Sequence, residues 1–223
     1  MSKDKLVVIG NSVTIRVRPE DGSQTYAHII ANKLKLDLIH LGEGALLLGE
    51  FLKQERQQKI PNNSHVIINF GIVDACTRPI SKSLYNFMMD IDKSSFRQTR
   101  KLIRFMENKL RTKLVKLKGK KSWTDKNKFM QQMNTLISIL KSKNCSFSIL
   151  GINYPNNRIE SNLPGSKNNV ILFNKELEKL NNYIAVNDLN NQEYFPDGIH
   201  YNAKGHQLIT DKIINQYNLM KTN

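Results

Sequence analysis

Apolar residues along this chain fall into short runs separated by longer stretches where they recur every three or four positions. The runs are Lys5 to Gly10 (around Leu6-Val7-Val8-Ile9), Leu36 to His40, His65 to Phe70, Ser146 to Gly151 and Tyr183 to Val186. Runs of this length, bounded by Gly, Pro or Asn, predict strands, the first of them buried. The periodic stretches predict helices over about Ser23–Leu34, Ala45–Gln58, Asn169–Asn181 and Ala203–Tyr217. Strands alternating with helices predict an α/β protein, a three-layer α/β/α sandwich on five parallel strands. Right-handed crossovers leave few topologies, and the flavodoxin-like order 2-1-3-4-5 is the expected one.

One stretch breaks the alternation. Ser81 to Lys143 contains no strand-like run, and Phe96, Ile103, Leu110 and Leu117 recur every seven residues with Met106 between them. That spacing predicts a helix with its apolar face packed inward and a basic face outward. A second helix, carrying Phe129, Met133, Leu136, Ile137 and Leu140, is expected to end near Lys143. With no internal repeat and no linker-like segment, the chain reads as one domain over residues 1–223 with a helical basic insert over about 81–143.

Charge sharpens this picture. The net charge is +15, and Lys93 to Lys128 holds 14 Lys/Arg against Glu107 and Asp125, a local +12 that leaves only about +3 elsewhere. The insert therefore offers a possible docking surface for an anionic carrier or the inner membrane face. A solvated helix face is the plainer alternative. RNP, zinc and helix-turn-helix signatures are missing, so nucleic acid is not indicated as a partner. No apolar run approaches the roughly 18 residues of a transmembrane span, and the N-terminal apolar run is too short for a secretory signal. Cys76 and Cys145 form no CxxC or disulfide framework, and a cytoplasmic location is expected.

The chemistry lies at the ends of the strands. Gly10-Asn11-Ser12 follows the first run, Gly42-Glu43-Gly44-Ala45 the second, and Gly71-Ile72-Val73-Asp74 the third. Asp197-Gly198-Ile199-His200 precedes the last helix. A serine hydroxyl needs a neighbouring base, most often a histidine oriented by a carboxylate, and three-residue spacing lets Asp197 hold the His200 ring. In a parallel sheet all four segments share the carboxyl edge, where ligands bind. No His-x-x-x-His, Cys cluster, GxGxxG or phosphate loop is present, so neither metal nor cofactor is expected.

Gly-Asn-Ser near the start and Asp-Gly-Ile-His before the final helix resemble the SGNH (GDSL-like) hydrolase superfamily, over Lys5 to about Tyr217. The resemblance implies catalytic Ser12, Asp197 and His200, with oxyanion or substrate contacts from Gly44, Ala45, Asp74, Arg78 and Arg16. Ala45 stands at the family's usual glycine, and Val73 stands where the family has a donating Asn. Arg78 is the expected substitute donor, Asp74 is expected to brace the loops, and Arg16 and Arg18 are expected near an anionic part of the substrate. The Gly-Ile-Val-Asp block is similar to members associated with bacterial surface-polysaccharide assembly, which implies an acylated sugar or its precursor. Hydrolase and O-acyltransferase both stay open, as does a non-catalytic module that binds an anionic partner.

Overall fold

A computed structural model describes residues 4–90, 105, 109–186 and 192–222. Strands β1 (Lys5–Gly10), β2 (Asp37–His40), β3 (His65–Asn69), β4 (Ser146–Leu150) and β5 (Tyr183–Ile184) form one parallel sheet, ordered β2-β1-β3-β4-β5. The expected order holds. β1 and β3 are central and almost wholly buried, as their unbroken apolar runs require.

The helices come in chain order as α1 (Ser12–Ile15), α2 (Tyr26–Leu34), α3 (Leu48–Lys53), α4 (Ile72–Ala75), α5 (Lys82–Asp90), α6 (residues 109–117), α7 (Lys126–Ser142), α8 (Asn157–Asn162), α9 (Ser166–Leu177) and α10 (Ala203–Thr222). The helix expected over Ala45–Gln58 is shorter than predicted. A tight turn occupies residues 43–46, and a 3-10 turn over Arg56–Lys59 follows α3. α8 was not foreseen in the polar loop after β4. Asn156 starts it by accepting the Ile159 N–H on its side chain (3.0 Å). Among the described residues, no helix is long and apolar enough to cross a membrane.

The insert departs from its expected packing. Leu110 is 39% exposed and Leu117 84% exposed, whereas Val115 is fully buried. The inward face of α6 is thus set by Val115, and the seven-residue apolar stripe does not mark it. Phe96, Ile103 and Met106, with the basic residues from Lys93 to Arg104, lie outside the described residues. At its root the insert is closed by an antiparallel bridge of Thr77 with Ser122, and by Trp123 Nε1 donating to Ile80 O (2.9 Å). α7 buries Phe129, Met133, Leu136 and Leu140 as its periodicity predicted, with Ile137 only partly covered.

The β1–β3 register places Gly10 against Asn69. A Cβ on Gly10 would lie 2.4 Å from Asn69 O and 2.6 Å from Thr14 Cγ2. Only glycine lets the chain leave β1 this close to its neighbour and turn at once into α1. Gly10→Ala is therefore expected to push β1 from β3 at the end that carries Ser12. A loss of about 2 kcal/mol for such overpacking corresponds to a melting temperature lower by roughly 4–8 °C. Differential scanning calorimetry checks it, and an unchanged melting temperature would mean the strand end yields freely.

Candidate active site

Ser12 is the first residue of α1, and Asn11 caps that turn by accepting the Val13 N–H on Oδ1 (3.2 Å). Thr14 closes the turn from its backbone N–H (3.1 Å) and its hydroxyl (2.9 Å), both onto Asn11 O. Asn11 is completely buried. A short polar side chain here satisfies the backbone, and the family's aspartate would place a charge in the same buried spot.

His200 reaches this turn from the loop before α10. Its Nε2 lies 2.9 Å from Ser12 Oγ and its Nδ1 2.7 Å from Asp197 Oδ2. Burial works against ionising Asp197. The His200 ring and the N–H groups of His200 (2.8 Å) and Ile199 (2.9 Å) outweigh it, holding the carboxyl down at about 2. An ionised carboxylate can only accept, so Nδ1 carries the proton and Nε2 is left to accept from the serine hydroxyl. Sequence spacing anticipated this contact, and the structure brings all three residues together.

The loop bearing Asp197 is fastened on several sides. Arg18 N donates to Tyr201 O (2.8 Å), Asn153 Nδ2 donates to Ile199 O (3.1 Å), and Phe195 stacks against Tyr201 with ring centroids 4.4 Å apart. Gly198 has φ 86°, a left-handed value that favours glycine, and a Cβ there would press on the Asn156 side chain. Arg18 Nε sits 3.9 Å from Asp197 Oδ2 while its Nη1 pairs with Glu20 (2.6 Å). That makes Arg18 a neighbour of the carboxylate, a placement the sequence did not suggest.

Two other histidines are structural ties. His206 Nδ1 accepts the Tyr26 N–H (3.2 Å) and Nε2 donates to Arg16 O (2.9 Å), and burial lowers its pKa to about 4. His40 Nδ1 accepts the Gly42 N–H (3.2 Å) and Nε2 donates to Thr14 O (3.1 Å), with burial again lowering its pKa. Each neutral ring joins a loop to the segment just beyond Ser12. A further serine–histidine contact, His65 with Ser146 (2.8 Å) and Ser148 (3.2 Å), begins at the first residues of β3 and β4, the sheet edge opposite Ser12.

The second loop lies alongside α1. Glu43 N donates to Gly10 O (3.2 Å), and a Cβ on Gly42 would overlap Thr14 Oγ1. Arg16 is exposed, with its guanidinium about 4.0 Å from where a Gly44 Cβ would stand. Glu43 to Leu46 forms a turn closed by Leu46 N on Glu43 O (3.4 Å), with Ala45 at φ 57°. Left-handed backbone costs a non-glycine residue roughly 1–2 kcal/mol. Lys82 Nζ offsets this by donating to Ala45 O (2.8 Å), the kind of charge-assisted bond that contributes about 1.5–3 kcal/mol.

Val73 follows Gly71 on α4 and offers no side-chain donor. Arg78, expected to replace one, has Nη2 on Val73 O (3.3 Å) and its guanidinium 4.4 Å over the Trp123 ring. The first contact holds Arg78 on its own loop's backbone and the second holds it against the insert. Asp74 is fully buried and accepts from Thr124 Oγ1 (2.9 Å), and so ties α4 to the insert. Among the described residues, no group of three or more His, Cys, Asp or Glu could hold a metal ion.

Burial raises the Asp74 pKa from 3.8 to about 7, against the pull of its hydrogen bonds. The folded chain therefore keeps a proton that the unfolded chain loses near 3.8. Its stabilising contribution is complete below that value and is lost as pH rises toward 7. Asp74→Asn stays neutral at every pH. Its melting temperature is expected to gain on the wild type by several degrees between pH 4 and pH 7.5, and parallel melting curves across that window would contradict the assignment.

The profile of the GDSL-like lipase/acylhydrolase family matches residues 6–213. Among solved structures, this chain is similar to a putative acylhydrolase from Bacteroides fragilis, with 14% identity and a TM-score of 0.59 over 99% of this chain and 91% of that one. A lipolytic G-D-S-L family protein from Veillonella parvula superposes with a TM-score of 0.58 at 12% identity, covering 95% and 96%. An acetyl xylan esterase, AlAXEase, does so with 0.57 at 14% identity, covering 95% and 98%. No curated protein sequence matches the chain.

Proposed function

The chain belongs to the GDSL-like lipase/acylhydrolase family, and from that membership we propose that it is a serine-dependent acyl-ester hydrolase acting through an acyl-enzyme on Ser12. The observation that carries this reading is the hydrogen-bonded chain Ser12–His200–Asp197. Ser12 Oγ bonds to the ester carbonyl carbon while His200 Nε2 takes its proton. The oxyanion collapses, and the alcohol leaves with that proton. Water then repeats the sequence, releasing the carboxylic acid and restoring the serine hydroxyl. Asp197 keeps the ring in the required tautomer and supports its transient positive charge. The Ser12 and Ala45 N–H groups are the proposed oxyanion donors, with Gly44 supplying the turn before Ala45.

The substrate proposed is an acylated saccharide or its precursor in surface-polysaccharide assembly. A groove of about 370 Å³ supports a polar alcohol portion, because Glu43, Gln54, Tyr85 and Asn86 line it beside Gly44 and Ala45. O-acyl transfer follows from the same acyl-enzyme if a sugar hydroxyl replaces water. Two buried free cysteines fit a reducing, cytoplasmic setting. The exposed Lys113, Lys116, Lys118, Lys120 and Lys121 around Leu117 support an anionic carrier or inner-membrane contact, with residues 1–223 acting as one unit.

Ser12→Ala and His200→Ala are each expected to lower kcat by more than about 10³-fold with melting temperature little changed. Asp197→Asn should retain more activity than His200→Ala, because it misorients the base without deleting it. Intact mass after a fluorophosphonate should show one adduct on Ser12 in wild type and none in Ser12→Ala, and wild-type turnover by Ser12→Ala would exclude the acyl-enzyme. Charge reversal at Lys113, Lys116, Lys118 and Lys120 is expected to raise KM for a substrate on an anionic carrier while sparing a small neutral ester. Equal losses on both would make the segment purely structural.

A further inference from the structure

Resting on the reading of Ser12 as nucleophile and the Ala45 N–H as an oxyanion donor, we propose that Lys82 is a positioning residue that holds the Ala45 turn in its donating conformation. The turn contains a conflict. Ala45 occupies φ 57°, while Gly44 just before it has no positive φ, so the residue that must adopt the left-handed conformation is the one with a side chain. This is the φ pattern of a type II turn, whose third position favours glycine. Left to itself, Ala45 returns to negative φ, and the peptide plane that carries its N–H reorients.

Lys82 opposes that rotation at the other end of the residue. Its Nζ donates to Ala45 O at 2.8 Å and pairs with Glu50 Oε2 at 3.3 Å. Glu50 in turn accepts the Leu47 N–H at 3.0 Å, so one carboxylate fixes both the start of α3 and the lysine. The ammonium also lies 4.8 Å from the Trp123 ring centroid and 5.2 Å from that of Tyr85. With carbonyl, carboxylate and two ring faces around it, the side chain is only 18% exposed. A surface lysine samples many rotamers, and this one is confined to the rotamer that reaches Ala45. Lys82 comes from α5, the first helix of the insert, and Trp123 from the segment just before α7. The insert thus closes on itself around the group that steadies the catalytic turn.

The test compares Lys82→Met, Ala45→Gly and the double variant with wild type. The readouts are the rate and extent of Ser12 labelling by a fluorophosphonate, and kcat and KM on p-nitrophenyl acetate. Lys82→Met is expected to slow labelling and kcat by the same factor, about 10- to 100-fold, with KM and the final labelled fraction unchanged. The double variant should recover most of the loss caused by Lys82→Met, because glycine enters positive φ freely. A lysine that merely propped the insert would lower the labelled fraction without slowing each site, and Ala45→Gly could not repair it. Wild-type rates in Lys82→Met, or no recovery in the double variant, would overturn the proposal. Should Lys82→Met fail to fold, Lys82→Arg keeps the charge but shifts the donor, and an undiminished labelling rate in it has the same force. Absence of labelling in wild type would sink the Ser12 reading and this proposal with it, whereas equal labelling of wild type and Lys82→Met sinks this proposal alone.

Discussion

Everything at the site depends on how closely β1 approaches β3. The two strands run parallel in the register that sets Gly10 beside Asn69, with no room for a side chain on Gly10. Because all five strands are parallel, every strand-to-helix loop leaves from one edge. Ser12, the Glu43–Leu46 turn and α4 are therefore neighbours although the sequence separates them by some thirty residues at each step. The Asp197–His200 loop, which starts α10, completes the group from the far end of the chain. A bulkier residue at position 10 would displace the serine before any catalytic contact could form.

Around that edge the protein assigns its ionisable groups to distinct tasks. His40 and His206 each accept from one backbone N–H and donate to one carbonyl, and burial keeps both neutral. Their bonds hold the backbone at the end of α1, on Thr14 O and Arg16 O. His200 instead faces a carboxylate and a hydroxyl, partners that suit a ring able to take up a proton. Among the carboxylates, Asp197 is held ionised by three N–H donors, while the buried Asp74 keeps its proton toward neutral pH. Residues of the same type are thus set apart by their surroundings alone.

The basic insert shows where periodicity misleads. A seven-residue recurrence of apolar side chains marks a stripe on a helix, but the stripe has a defined inward direction only if a core lies against it. α6 has little core beside it: Val115 is buried and Thr112 bonds to the carbonyls of Ser161 and Asn162, while Leu110 and Leu117 turn outward. α7 shows the same kind of pattern, yet it packs over the sheet, and there Phe129, Met133, Leu136 and Leu140 are all buried. The difference is position in the fold, which a local pattern does not contain.

By itself the sequence determined the elements and the edge. Short apolar runs alternating with amphipathic stretches read as strands of a parallel sheet, and right-handed crossovers order them, so the sheet and the edge shared by Ser12, Asp197 and His200 were legible in the sequence. Three-residue spacing on a turn allows Asp197 to reach the His200 ring, and the resemblance of Asp-Gly-Ile-His to the family's last block singled the pair out. Tertiary structure decided what depends on contacts between distant segments. It directed Arg78 to Val73 O and the Trp123 face, set Arg18 beside Asp197, and brought Lys82 to Ala45 O across 37 residues. Long charged side chains reach many points at nearly equal local cost. Which point they reach is fixed only when burial removes water as the competing partner, and burial is a property of the assembled fold.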